Sequence, residues 1–292
     1  MSPRVRMFLA VAGAVAFSAA FVAIVMAKEE FTLDSFPIHV LPDVVAADGD
    51  RIDGIFRGIF WLTMAIFVAV EAVLLFFLFR YARGAEPRKA HFSHGNNTIE
   101  IVWTIVPALI CLVISLASKS VWSDVKQAKP AELKNPFVVD VSGRQFEWRI
   151  RYPNAKAVQG ESYDAIMKRF ARTDERWITK GVDNLFGIDE DDPEARDDIQ
   201  TIGTLYVPVN RPVVVKLRSQ DVLHSFFLPH FRVKQDAVPG WTIDVFFTPT
   251  KEGEWEIACA ELCGQNHTNM SGKIIVLSDA ELEKRLKKLL GE

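Results

Sequence analysis

Two cysteines, a histidine and a methionine fall within twelve residues near the C-terminus: Cys259, Cys263, His267 and Met270. Thiolate, imidazole and thioether donors together favour copper, whereas a structural zinc site uses four Cys or His ligands and seldom Met. A balanced copper site needs a second imidazole, and His224 lies upstream, just after a predicted strand. The segment therefore predicts a copper-binding loop.

The second cysteine decides between classes of copper site. A blue-copper site has one thiolate, two imidazoles and a weak axial Met. Two thiolates would give one ion too much negative charge, but they can bridge two copper ions, each with one imidazole and one weak axial donor. Met270 supplies one axial donor, and the main-chain carbonyl of Glu261 supplies the other. The predicted metal ligands of this dinuclear centre are His224, Cys259, Glu261, Cys263, His267 and Met270.

A disulfide is the alternative for two cysteines in an oxidising compartment. The C-x3-C spacing taken alone does not separate a disulfide from a metal site. The histidine and methionine that follow the pair, together with His224, complete a set of soft donors that a disulfide would not need. The donor set therefore favours copper.

Three apolar segments precede the soluble part: Met7–Ala27, Ile55–Phe79 and Ile101–Val121. Each is long enough, at about 1.5 Å per residue, to cross a hydrocarbon core of roughly 30 Å. Residues 1–27 are either a cleaved signal peptide or a retained N-terminal membrane helix, because two arginines precede the segment and a small-residue sequence ends it. Residues 54–123 are predicted to form a transmembrane α-helical hairpin.

The charges predict the orientation of this hairpin. The connector between its two segments carries Arg80, Arg83, Glu86, Arg88 and Lys89. Excess positive charge stays in the cytoplasm, so everything after Val121 is expected on the outer, periplasmic side of an inner or cell membrane. The segment of residues 28–53 is rich in Asp and Glu, which also suits the outer side of the membrane. The net charge of −3 gives no reason to expect nucleic acid as a partner.

The soluble part, residues 135–278, has the pattern of an all-β sandwich. Short runs rich in Val, Ile, Phe and Trp alternate with Gly, Pro, Asn and Asp, and they provide seven candidate strands between residues 137 and 277. This pattern predicts a cupredoxin-like fold. Residues 154–203 are too long and too polar for an ordinary connection and are predicted to be an insertion that ends in an acidic run, Asp189 to Asp198.

A C-terminal helix is predicted over residues 279–292. Ser278 and Glu281 have the spacing of a capping box, and leucines at helical spacing supply one apolar stripe. We expect this helix to pack on the sandwich.

The copper loop resembles that of subunit II of the haem-copper cytochrome c oxidases, whose pattern is C-x-E-x-C-x3-H-x2-M. The resemblance extends from about Gly54 to Leu277, interrupted by the insertion. It implies the same six ligands, and a magnesium or manganese ion that the Glu261 carboxylate shares with subunit I. It also implies that Lys234–Gly240 is an interface loop, in which Asp236 lies near the exit of product water.

The start of the third apolar segment, Glu100–Pro107, is similar to the opening of the family's second membrane helix. The resemblance implies that Glu100 stands at the cytoplasmic mouth of a proton-uptake path. The alternative is an acid placed at a helix start, where the macrodipole stabilises it. Glu71 lies in the middle of a span, and a hydrogen-bonded packing role is favoured for it.

One departure from the family concerns the electron donor. The family has Gln-Trp-aromatic-Trp where electrons arrive from cytochrome c, but here Phe146 replaces the first Trp, and Trp148 is retained. Phe146 keeps the aromatic contact area and lacks the indole N–H. The acidic run of the insertion either docks a basic donor or is a solvated surface.

Together these patterns predict the electron-accepting subunit of a haem-copper terminal oxidase. Electrons would pass from a cytochrome c-like donor to the dinuclear copper centre and then to haem in subunit I, where oxygen is reduced to water as protons are pumped. The alternative is a membrane-tethered copper-binding or chaperone protein, which explains the ligands but not Glu100 or the interface loop. A quinol oxidase subunit would lack the ligands. The sequence has no C-x-x-C-H motif for covalent haem.

Overall fold

The computed structural model describes residues 41–81, 92, 94–126, 133–153 and 198–291. The first apolar segment, most of the connector at residues 80–89 and residues 154–197 of the predicted insertion lie outside the described residues. The described chain forms two compact units. One comprises residues 53–118, and the other comprises residues 42–52 and 119–291.

Two long helices account for the second and third apolar segments. Helix α1 is Gly49–Arg80 and helix α2 is Asn97–Lys126, and both are long and apolar enough to cross a membrane. They extend beyond the predicted segments because polar turns continue the helix at each end. The Asn96 side-chain oxygen starts α2 by accepting hydrogen bonds from the backbone N–H groups of Thr98 (3.1 Å) and Ile99 (3.2 Å).

The soluble unit is a sandwich of two five-stranded sheets, which confirms the predicted fold class. The first sheet has the order β3-β2-β1-β5-β8, and β1 and β5 run parallel in it. Its strands are β1 Phe137–Arg144, β2 Glu147–Tyr152, β3 Ile199–Ile202, β5 Val213–Ser219 and β8 Ile243–Phe247. The second sheet has the order β4-β10-β9-β6-β7. Its strands are β4 Thr204–Pro208, β6 His224–Leu228, β7 Val233–Ala237, β9 Gly253–Cys259 and β10 Ser271–Leu277.

The core lies between the two sheets and follows from the alternation of side chains along each strand. In the first sheet, Val139, Trp148 and Leu217 face inward and are fully buried. Phe226 of β6 and Ile274 of β10 meet them from the second sheet. Trp148 packs edge-on against Phe226, with ring centroids 5.3 Å apart.

Three of the ten strands in the described part of the chain were not predicted. Strand β3 occupies residues 199–202, which the sequence pattern assigned to the insertion, and it pairs with β2 through Tyr152 and Ile199. Strand β6 begins at His224, so that this histidine opens a strand instead of following one. Strand β7 contains the first half of the predicted interface loop. All three strands are only four or five residues long. None of them has an alternating apolar pattern long enough to predict a strand.

The C-terminal helix, α3, is Asp279–Leu289, and Ser278 is its N-cap. The Ser278 hydroxyl accepts a hydrogen bond from the backbone N–H of Glu281 (3.4 Å) and lies 3.2 Å from the Glu281 carboxylate. Leu282 and Leu286 are buried against the sandwich, whereas Leu289 is 43% exposed and does not belong to the packed stripe.

Residues 42–48 form a strap on the sandwich that the sequence did not predict. Val45 is buried in the core, and its backbone N–H donates to the His230 carbonyl (3.0 Å). Thr250 N–H donates to the Val45 carbonyl (2.9 Å). Just beyond the strap, Arg51 in the first turn of α1 pairs with Asp124 in the last turn of α2 (2.8 Å). Both residues belong to the compact unit that contains the sandwich.

Candidate metal centre

The predicted ligands come together because strand β9 of the second sheet ends where its neighbours β6 and β10 begin. Cys259 is the last residue of β9, and the loop after it closes through a short 3-10 turn, His267–Asn269, into β10. The backbone N–H of Cys259 donates to the carbonyl of Met270 (3.2 Å), which closes the base of the loop. His224 opens β6, which pairs with β9 through Phe226 and Cys259.

The donor atoms form two similar halves. Cys259 Sγ lies 3.9 Å from Nδ1 of His224 and 3.2 Å from the main-chain oxygen of Glu261. Cys263 Sγ lies 3.6 Å from Nδ1 of His267 and 3.7 Å from Sδ of Met270. Each sulfur therefore has one imidazole and one weak donor beside it.

The two sulfurs are 3.8 Å apart, whereas a disulfide bond measures about 2.05 Å, so both thiols are free. The donor atoms of His224, Cys259 and Cys263 all lie within 4.8 Å of one another. These donors, two thiols beside imidazole, thioether and main-chain oxygen, fit the soft ligand set that copper prefers.

The centre lies at the border between core and surface. His224 is fully buried, Cys263 is 3% exposed and Met270 is 1% exposed, while Cys259 and His267 are half-buried. Burial, together with the neighbouring Cys259 thiol, raises the pKa of Cys263 to about 11. This thiol is therefore protonated at neutral pH until a cation displaces its proton.

Asp221 orients His224 and was not predicted as a site residue. Nε2 of His224 donates to Asp221 Oδ1 (2.8 Å), because a carboxylate only accepts, so the free lone pair of His224 is on Nδ1, which faces Cys259. Burial alone would raise the pKa of Asp221, but hydrogen bonds from Gln145 N–H, His224 and Val222 N–H hold this pKa below its ordinary value. A carboxylate three residues before a candidate ligand histidine is the signal that could have identified it.

Replacing Asp221 by alanine is expected to weaken copper binding by about 10–100-fold, because the His224 imidazole would lose the group that fixes its tautomer and orientation. Copper affinity can be measured by competition with a chelator in the full-length chain. Glu256→Ala, at an exposed carboxylate on β9, is the control and should leave the affinity unchanged. Equal affinity in Asp221→Ala and the unmodified chain would contradict the orienting role.

Two residues of the β1–β2 hairpin support the same loops. Gly143 lies against the His224 ring, and a Cβ there would be 2.9 Å from Cδ2 of the imidazole, so a larger residue would displace the ring. The Gln145 side chain donates to the Cys263 carbonyl (2.5 Å). No feature of the sequence identified these two contacts, because they join segments far apart in the chain.

The predicted aromatic pair lies beside the centre. Trp148 is fully buried, and its ring centroid is 6.0 Å from that of His224. Phe146 is half-buried next to the copper loop, since a Cβ at Gly264 would lie 3.0 Å from Cζ of Phe146. The aromatic substitution seen in the sequence therefore falls within the immediate surroundings of the site.

Other predicted residues lie outside this cluster. Glu100 is exposed in the first turn of α2, and Glu71 lies in the middle of α1, both in the helical unit. Asp236 is exposed on β7. Glu261 offers its main-chain oxygen to the centre, while its side chain is exposed.

Comparison with known proteins gives a consistent result over most of the chain. The family model described as cytochrome c oxidase subunit II, periplasmic domain, matches residues 137–278, and the transmembrane-domain model of the same subunit matches residues 37–121. The chain is 32% identical over 238 residues to the alternative cytochrome c oxidase subunit 2 of Bradyrhizobium diazoefficiens, covering 81% of this chain and 79% of that protein.

A second relative is cytochrome c oxidase subunit 2 of Cereibacter sphaeroides, which is 33% identical over 217 residues, covering 74% of this chain and 68% of the relative. Among solved structures, the periplasmic domain of subunit II of cytochrome oxidase from Bradyrhizobium japonicum aligns with 22% identity and a TM-score of 0.37. That alignment covers 55% of this chain and 94% of the solved domain.

Proposed function

Because this chain belongs to the cytochrome c oxidase subunit II family, we propose that His224, Cys259, Cys263, His267 and Met270, with the Glu261 carbonyl, hold its copper as a dinuclear centre. The chain is a membrane subunit of a haem-copper oxidase with an electron-transfer role. The family implies copper binding, and the dinuclear form and its ligands are the proposal.

The observation that carries the proposal is the division of the donors into two halves around two unbonded sulfurs 3.8 Å apart. A single copper would leave one imidazole and one axial donor without a metal. Copper bound there supplies one-electron transfer. The chain holds the donors in place before any electron arrives, since Asp221 orients His224 and Gln145 holds the Cys263 carbonyl. Such preorganisation limits the change in geometry on reduction, which favours fast transfer.

Electron paramagnetic resonance of the oxidised, copper-loaded full-length chain tests this proposal. Two equivalent coppers that share one unpaired electron give a seven-line hyperfine pattern. Two copper ions per chain, measured by elemental analysis, should accompany it. A four-line spectrum with one copper per chain would overturn the dinuclear assignment, and a chain that surrenders its copper readily to a chelator would fit a chaperone instead.

We also propose that electrons from a cytochrome c-like donor reach the centre beside Phe146 and Trp148. Phe146→Ala is expected to lower the second-order rate of copper reduction by cytochrome c by about tenfold, because an aromatic contact at the docking surface is lost. The measurement is stopped-flow reduction of the assembled oxidase. Phe146→Trp is the matched control and should keep or raise the rate. An unchanged rate in Phe146→Ala would remove Phe146 from the electron path.

For Glu100 we propose the proton-uptake role at the cytoplasmic side. Glu100→Gln is expected to lower steady-state oxygen consumption by at least about tenfold, because the amide cannot release a proton, while the rate of copper reduction by the donor stays unchanged. Glu71→Gln is the control, since a packing role predicts normal turnover. Slowing of both rates by Glu100→Gln would indicate a structural defect, and normal turnover would leave only the helix-start role.

The exposed Glu261 carboxylate is proposed to reach a magnesium or manganese ion shared with subunit I. In support, the main-chain oxygen of Glu261 faces Cys259. Glu261 can therefore offer this oxygen to copper and its carboxylate to the magnesium or manganese ion. Lys234–Gly240 is proposed to contact subunit I, with Asp236 near the exit of water. We propose that the copper domain lies on the periplasmic side of the inner or cell membrane.

A further inference from the structure

The turn of the β1–β2 hairpin contacts both halves of the metal centre. Strand β1 ends at Arg144 and β2 begins at Glu147, so Gln145 and Phe146 form this turn. The hairpin belongs to the first sheet, whereas the donors come from strands and a loop of the second sheet. Contacts made by the turn therefore join the two sheets at the site.

Gln145 contacts the His224 half through its main chain. Its backbone N–H donates to Asp221 Oδ2 (2.8 Å), and Asp221 Oδ1 accepts from Nε2 of His224 (2.8 Å). Because its two oxygens bind different partners, Asp221 links the hairpin to the imidazole. Any residue other than proline at position 145 would keep the backbone donor of this link.

Gln145 contacts the Cys263 half through its side chain. The amide Nε2 donates to the main-chain carbonyl of Cys263 at 2.5 Å. The next residue, Gly264, leaves room for the amide, because a Cβ there would lie 2.9 Å from Nε2 of Gln145. Gly264 also has a φ of +139°, which disfavours other residues. The copper loop is therefore closely fitted to the Gln145 side chain.

These contacts close a ring around the centre. One side of the ring is the series of hydrogen bonds from His224 through Asp221 and Gln145 to Cys263. On the other side, Cys263 Sγ lies 3.8 Å from Cys259 Sγ, which lies 3.9 Å from Nδ1 of His224. The hydrogen bonds are much shorter than the sulfur contacts. The hydrogen-bonded side therefore fixes the spacing of the two halves.

We propose that Gln145 is a positioning residue, whose side chain holds the Cys263 half of the centre in register with the His224 half and so keeps the two halves equivalent. This inference rests on the proposed dinuclear centre and adds to it a residue that is not a ligand. Gln145 is exposed next to Phe146, so the competing role is a contact with the electron donor. The two roles are separable, because positioning acts when no donor is present.

Amide hydrogen exchange in the copper-free, full-length chain tests positioning without metal or donor. The reporters are His267 and Met270, whose backbone N–H groups donate to the carbonyls of Gly264 and His267 (3.1 Å each). Gln145→Ala is expected to speed exchange at both reporters by about tenfold, because the loop loses the hydrogen bond that holds it to the hairpin. Exchange in β5 of the first sheet should stay unchanged, which shows that the fold is retained.

The copper-loaded chain provides a second readout. In Gln145→Ala, the paramagnetic resonance spectrum is expected to change from seven evenly spaced lines to an uneven pattern, because the two halves no longer match. Gln145→Glu has nearly the same shape, but its carboxylate cannot donate, so it should cause both changes as well. Arg144→Ala, at the adjacent residue of the hairpin, is the matched control and should cause neither.

Faster exchange together with an uneven spectrum in both Gln145 variants supports the proposal. Unchanged exchange or an unchanged seven-line spectrum in either variant overturns it. If exchange and spectrum are both unchanged while copper reduction by cytochrome c slows, Gln145 is a donor contact. A four-line spectrum from the unmodified chain would instead refute the dinuclear centre. The exchange rates alone would then decide whether Gln145 positions the loop.

Discussion

Serine in place of Cys263 is expected to abolish the dinuclear centre and to lower the rate of electron transfer into the oxidase by more than about 100-fold. This loss is larger than the loss caused by changing a residue that only orients a ligand. Cys263 lies between the two halves of the site, 3.8 Å from Cys259, 3.6 Å from His267 and 3.7 Å from Met270. Without this thiolate, His267 and Met270 no longer have a cysteine sulfur beside them. The remaining thiolate, Cys259, suits one copper.

The measurements for Cys263→Ser are the copper content, the paramagnetic resonance spectrum and the rate of oxygen consumption. We expect one copper per chain, four hyperfine lines and a retained fold. Cys111→Ser, which removes the third cysteine from α2, is the matched control and should preserve the seven-line spectrum. Two coppers and an unchanged spectrum in Cys263→Ser would show that this thiolate is not a ligand.

Asp198→Ala is expected to destabilise the sandwich by about 3–5 kcal/mol, because it leaves the Arg151 guanidinium buried without its counter-charge. The pair is among the most enclosed in the described chain, with side chains 4% and 2% exposed. For a unit of this size, the loss corresponds to a fall of about 6–20 °C in the midpoint of thermal unfolding. Loss of the copper chromophore on heating reports this midpoint.

Two comparisons make the test of Asp198 specific. Arg151→Met/Asp198→Leu removes both charges and should recover most of the stability, since a packed apolar pair often replaces a buried ion pair without loss. Glu283→Ala breaks the exposed pair with Lys287 on α3 and should cost no more than about 0.5 kcal/mol. A small effect of Asp198→Ala, equal to that of Glu283→Ala, would mean that water reaches Arg151.

The metal donors could be predicted from the sequence because five of the six lie in one short loop, where residue type and spacing carry the chemistry. His224 was identified by its residue type and by its position after a predicted strand, whereas the structure places it at the start of strand β6. Asp221, Gly143 and Gln145 act through contacts across the fold, which spacing along the chain does not encode. Local composition thus predicts the ligands better than the groups that orient them.

The fold was predictable to the level of two spans and a β-sandwich, since long apolar runs and alternating short runs are strong signals. Strand β3 was missed because a polar insertion precedes it, and β7 because only its two end residues are buried. The strap at residues 42–48 was missed for another reason. Its sequence indicates only a polar segment before a membrane helix, while its burial depends on strands about 200 residues later.

That strap also constrains the order in which the molecule is completed during synthesis. Val45 bonds to His230 and Thr250, so its partners leave the ribosome only after both membrane helices have been made. The sandwich cannot close over Val45 until the chain has been synthesised past Thr250. Contacts so distant in sequence fold slowly. Both helices are therefore synthesised before the sandwich can close over Val45.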